Sequence, residues 1–136
     1  MFLGNVEYGF ISSLQLKLGQ ILSSKQTIPF RFSEITPFPF SGTPKIAAAM
    51  LEYSDALMQL QHNTAKCVRA FGISLERRRF TPHVTLGRLK SRSRKSMAFQ
   101  PQQIFLEGVS EKVVIFQSEL TPKGAFYTSL REISLM

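Results

Sequence analysis

Residues 80–88 read Phe80-Thr81-Pro82-His83-Val84-Thr85-Leu86-Gly87-Arg88. The β-branched pair Val84 and Thr85 predicts a strand within Thr81–Lys90. Residues i and i+2 of a strand share a face, so His83 and Thr85 point together while Val84 and Leu86 point the other way. The apolar pair is expected to pack and the polar pair to be presented. A neighbouring imidazole and hydroxyl suit a phosphate, because the ring can give or take a proton at a phosphoester oxygen and the hydroxyl can donate to a nonbridging oxygen. The triplet alone equally suits a half-buried strand histidine beside a structural threonine.

Outward from that strand the charge is uneven. Eight basic residues (Arg77, Arg78, Arg79, Arg88, Lys90, Arg92, Arg94, Lys95) and no acidic one lie between Arg77 and Lys95, so the net charge of +8 sits wholly in this segment. Two readings stay open: a solvated loop with incidental charge, or a positive field that draws polyanions.

Further out, Phe10, Ile11, Leu14, Leu18, Ile21 and Leu22 keep helical spacing and predict an amphipathic helix over about residues 7–23. Ile28, Phe30 and Phe32 alternate as in a strand, which Pro29 would keep at an edge or a strand start. Phe38 to Pro44 reads as a turn or loop. Lys45 to Glu52 is ambiguous: its alanines favour helix, while its shortness and flanking breakers suit a buried strand. Ser54 and Asp55 offer an N-cap to a second helix whose face runs through Leu57, Leu60, Thr64, Val68 and Phe71 and stops at Gly72. His62 falls off that face and Cys67 near it. Strands are expected at Lys112–Leu120 and Ala125–Ile133, joined by the hairpin signal Thr121-Pro122-Lys123-Gly124.

At 136 residues the chain is long enough for one core, and with 43% hydrophobic and 19% charged residues it is neither disordered nor fibrous. It reads as a single domain over residues 1–136. The longest apolar run, Ile46 to Leu51, is far too short to cross a bilayer. Met1 to Gln15 lacks the basic and small-residue features of a secretory leader, and the single cysteine fits a reducing cytoplasm. The two histidines and one cysteine lack metal-ligand spacing, and no nucleophile elbow or glycine-rich phosphate loop occurs. Phe80, Phe99, Phe116 and Tyr127 could stack on single-stranded RNA, with core placement the competing reading for most of them.

The nine-residue string 80–88 resembles the second His-x-Thr motif of the two-histidine phosphoesterase superfamily, in the branch of 2′-5′ RNA ligases and RNA 2′,3′-cyclic phosphodiesterases. Ser118, Leu120, Pro122, Gly124 and Tyr127 resemble that family's C-terminal hairpin, and the resemblance covers essentially the whole chain. It implies an α+β fold of two similar lobes, with antiparallel sheets lining a cleft and helices outside, and a strand at the alanine-rich segment. The family's first motif runs His-x-Thr-Leu-x-Phe-Leu-Gly, and Met1-Phe2-Leu3-Gly4 is similar to its end. The resemblance thus implies that the first His and Thr, with the family's first strand and first helix, are missing ahead of Met1.

The resemblance further implies hydrolysis of 2′,3′-cyclic phosphates at RNA ends, with RNA termini or cyclic nucleotides as partners and neither metal nor cofactor. His83 would be one of two acid/base groups and Thr85 one phosphate ligand. The partner roles are vacant. Arg88, Arg79 and Lys90 are weaker phosphate or RNA contacts; strict alternation puts Arg88 on the Val84 face, so it reaches phosphate only if Gly87 allows a bulge. The alternative is a remnant that binds RNA or nucleotides without turnover. A missing first strand would leave a sheet edge open to a second copy of the chain.

Overall fold

The computed structural model describes residues 1–90 and 99–136. Its elements run α1 (Tyr8–Leu22), β1 (Ile28–Phe38), β2 (Ile46–Leu51), α2 (Asp55–Ala70), β3 (His83–Arg88), β4 (Gln102–Ser110), β5 (Lys112–Thr121) and β6 (Gly124–Ser134). They form two compact units interleaved along the chain, the first from Met1–Ile28, Asp55–Arg78 and Ser110–Met136, the second from Pro29–Ser54 and Arg79–Val109. The α+β class with antiparallel strand pairs is as expected.

The first unit joins both helices to the β5–β6 hairpin. Helix α1 buries Ile11, Leu14, Leu18 and Leu22, spaced three or four residues apart so that all four fall on one stripe. They meet Cys67 and Val68 of α2 and Ile115, Ile133 and Leu135 from the hairpin end of the chain. Leu14, Leu18, Leu22 and Val68 are essentially inaccessible to solvent. Each such side chain stabilises the fold by roughly 1.5–3 kcal/mol relative to exposure. Gly72 follows α2 with φ of +81°, a left-handed position that glycine takes without strain and that ends the helix where the sequence places its stop. The hairpin closes through Pro122 and Lys123, where the Thr121 hydroxyl donates to the Gly124 carbonyl at 2.7 Å.

The second unit is a sheet in the order β3-β2-β1-β4. The alanine-rich segment is strand β2, so the breakers around it and not the helix propensity of its alanines decide its state. Strand β1 is interior, bonded to both β2 and β4. Pro29 is tolerated because it stands at the strand's second residue, before the ladder to β2 begins at Phe32. Strand β4 is the element that the sequence pattern did not announce. Its residues Gln102–Ser110 show no strict alternation of apolar and polar side chains, and its neighbour β1 supplies the order. At Gly108 the backbone passes so close to Phe30 that a Cβ there would lie 2.5 Å from the ring's Cζ. Arg31 of β1 spans the sheet surface, donating from Nε to Glu107 at 2.7 Å and pairing with Glu52 at 3.7 Å.

One packing expectation is overturned. Val84 and Leu86 are not buried behind His83 and Thr85: they are 47% and 55% exposed. The reason is architectural. Among the described residues, both helices belong to the first unit, so the second unit has no helical layer of its own to cover that face of its edge strand.

Candidate active site

Strand β3 carries His83, Val84, Thr85, Leu86, Gly87 and Arg88. Among the described residues it is the last strand on its side of the sheet, and all six of its residues are exposed. It pairs antiparallel with β2, His83 opposite Met50, Val84 opposite Ala49 and Thr85 opposite Ala48. Cross-strand partners share a face, so His83 and Thr85 stand above Met50 and Ala48. Thr36 of β1 lies across Ala48 from Thr85, and both Thr36 and Ala48 are buried. The alanine's single methyl keeps the floor low beside the Thr85 hydroxyl.

The register then shifts. Gly87 pairs with Ala47 and Arg88 with Ile46, leaving Leu86 without a partner on β2. This extra residue is a β-bulge, which reverses the alternation beyond it. Arg88 therefore falls opposite Ile46, on the same face as Ala48 and Met50 and hence as His83 and Thr85. Strict alternation would have put it on the Val84 face. The bulge brings His83, Thr85 and Arg88 together on one side of the sheet.

The imidazole is oriented from two sides. Its Nδ1 lies 2.7 Å from the Thr81 carbonyl oxygen. A carbonyl can only accept, so Nδ1 carries the proton and Nε2 keeps the free lone pair of the neutral ring. Phe38 supplies the second constraint, its ring centroid 4.6 Å from the imidazole's and tilted by 36°. Nε2 is thus the atom left to take a proton from water or, once protonated, to give one to a leaving oxygen. Neither Phe38 nor the Thr81 carbonyl was singled out from sequence. Phe38 reaches His83 only through the β1–β2–β3 pairing, although the spacing from Thr81 to His83 is itself visible in the string.

The other basic residues are arranged less closely. Arg79 is exposed in the irregular segment before β3, Lys90 is exposed just after it, and Arg78 is engaged by Glu76 at 3.5 Å. Arg92, Arg94 and Lys95 lie outside the described residues. Of the aromatic residues considered for stacking, Phe80 and Phe99 are half-buried, whereas Phe116 and Tyr127 are more than half exposed and pair edge to face, which removes them from the core.

A second His-x-Thr triplet, His62-Asn63-Thr64, does not stand out in the sequence, and its setting shows why it is not a second motif. It lies on α2, where residues two apart point about 200° from each other. Thr64 spends its hydroxyl proton on the Leu60 carbonyl at 2.8 Å. His62 is exposed in the first unit.

The sequence profile described as LigT-like phosphoesterase matches residues 50–127, from the end of β2 through β3 to the start of β6. The chain belongs to this family. The chain is 28% identical over 137 residues to an RNA 2′,3′-cyclic phosphodiesterase of Thermotoga maritima, covering 96% of this chain and 71% of that protein. It is 26% identical over 135 residues to the protein of the same name from Archaeoglobus fulgidus, covering 96% and 74%. Among solved structures, a Thermus thermophilus protein is 29% identical with a TM-score of 0.75, covering 99% of this chain and 75% of that one. E. coli LigT in complex with 3′-AMP is 19% identical with a TM-score of 0.79, covering 99% and 74%; that likeness is one of fold. No helix of the LigT-like chain among the described residues is long and apolar enough to cross a membrane.

Proposed function

We propose that this chain acts on RNA ends bearing a 2′,3′-cyclic phosphate, as an RNA 2′,3′-cyclic phosphodiesterase related to the 2′-5′ RNA ligases, in the cytoplasm. The observation that carries the reading is the imidazole of His83, anchored at Nδ1 by Thr81 with Nε2 free, on one face with Thr85 and Arg88. Nε2 transfers one of the two protons that opening a cyclic phosphate requires: removal from the attacking water, or delivery to the departing ribose oxygen. The Thr85 hydroxyl donates to a nonbridging oxygen, and Arg88 opposes the charge that builds there. Arg79 and Lys90, exposed on either side of the strand, raise the local concentration of the polyanion. The curated relatives that bear this activity in their names support the reading.

A second reading, nucleotide binding without turnover, is favoured by one specific observation: the other histidine, His62, lies on helix α2 of the first unit and not on the sheet that carries His83. Equilibrium binding of an oligoribonucleotide ending in a 2′,3′-cyclic phosphate tests the site that both readings share. Thr85→Val and Arg88→Ala are each expected to weaken binding by roughly tenfold, as loss of a charge-assisted contact does. Raising the salt should weaken it further. Unchanged affinity in both variants would remove the β3 face from recognition. Strands β5 and β6 each pair only with the other among the described residues, and we propose that one of these open edges pairs with a second copy. Sedimentation at micromolar concentration should find a dimer, and a monomer would contradict it.

A further inference from the structure

The first unit contains a groove of about 600 Å³ between α1 and α2, outside the sheet that carries His83. Three lysines line it: Lys17 from α1, Lys25 from the segment after it, and Lys66 from α2. None of the three has a carboxylate partner among the described residues, whereas Arg31, Arg78 and Lys112 all do. Three lysines that line one concavity and have no acidic partner among the described residues make the local potential positive, which favours an anion there.

The remaining lining is mostly apolar, and Asn63 adds one oriented donor. Asn63 accepts a hydrogen bond on Oδ1 from Gln59 at 3.1 Å, which fixes the amide with its NH₂ group unspent. The groove is therefore lined by three lysines and an amide donor, and among the described residues no acidic side chain lines it. Its other wall is apolar, with Ile21 on α1 and the Phe71 ring just beyond α2. The volume suits a ligand of nucleotide size. A site of donors on one side and an aromatic ring on the other is complementary to an organic phosphate with a flat or apolar portion.

We propose that this groove is a second anion site, which binds a nucleotide-sized organic phosphate independently of the β3 face. The phosphates sit among Lys17, Lys25 and Lys66, and the organic part lies against Phe71.

Titration of the whole chain with ADP as probe, followed by amide chemical shifts, tests it. Saturable shifts at Asn63, Lys66 and Phe71 are expected, and they should persist unchanged in His83→Ala. The double variant Lys17→Gln with Lys66→Gln should weaken them at least roughly tenfold while the spectrum stays dispersed, since both residues are exposed and the fold does not depend on them. Phe71→Leu, which keeps the apolar wall but removes the flat ring, should weaken ADP more than pyrophosphate. Shifts confined to the β3 face would overturn the proposal, as would undiminished affinity in the double variant. Pyrophosphate binding as tightly as ADP would overturn the assignment of an organic ligand.

Discussion

The two units of the chain bury different things and expose different things. The first backs a two-stranded hairpin with two helices and buries Leu14, Leu18, Leu22 and Val68 almost completely. The second is strands only among the described residues, and its most buried side chains are the small or polar Ala48, Ala49 and Thr36, with Met50 beside them. Cohesion is thus concentrated in one unit and the candidate chemistry in the other. His83 stands on an edge strand whose six residues are all exposed, and a strand so placed contributes little to stability.

The sharpest way to break this contrast is to cut the core of one unit and the edge strand of the other. Leu18→Ala removes a side chain 2% exposed and should cost about 2–5 kcal/mol in urea unfolding. His83→Ala or Leu86→Ala on the exposed edge strand should stay within about 0.5 kcal/mol. Equal losses would mean that β3 is structural after all.

The next effect lies at the floor of the site. Ala48 is fully buried between Thr36 and Thr85, so Ala48→Leu should cost about 1–3 kcal/mol through overpacking and also weaken binding of a cyclic-phosphate end. Destabilisation without a change in affinity would detach Thr85 from phosphate recognition.

The smallest effect concerns Cys67, in the core of the first unit. Burial pushes its thiol above the ordinary value of 9.0, partly offset by the nearby Lys17 charge. The unfolded thiol therefore ionises first as pH rises, the unfolded state binds fewer protons, and stability falls. The contribution is fully present below about pH 9 and is lost as pH climbs toward the folded value. Thermal melts from about pH 8 to about pH 10.5 should show a decline that Cys67→Ala reduces; an identical slope in both would contradict it.

Much of this architecture was legible in the sequence because it is local. The stripe from Ile11 to Leu22, the stop at Gly72 and the Thr121–Gly124 turn each depend on neighbours a few residues away, and each falls where the pattern puts it. Family resemblance resolved β2, which propensity alone left open. What could not be read was set by pairing across the sheet. Strand β4 takes its order from β1, Phe38 meets His83 through two ladders, and the bulge at Leu86 turns Arg88 to the His83 face. The exposure of Val84 and Leu86 likewise depends on which unit holds the helices. Helical context, in turn, disarms the triplet at His62, which has the residues of the motif without its geometry.

The proposed function puts an acid/base histidine, His83, on the exposed face of β3. The most direct measurement is hydrolysis of 2′,3′-cyclic AMP by the chain, by the chain extended at its N-terminus with a strand bearing His-x-Thr-Leu, and by His83→Ala in each. A positioned acid or base contributes on the order of 10²–10⁴-fold. The extended form should therefore turn over at least roughly a hundredfold faster, and His83→Ala should abolish most of that gain while barely altering the slow rate of the chain alone. A chain that reaches the extended form's rate unaided, and loses it with His83→Ala, would mean that His83 works without a second His-x-Thr strand.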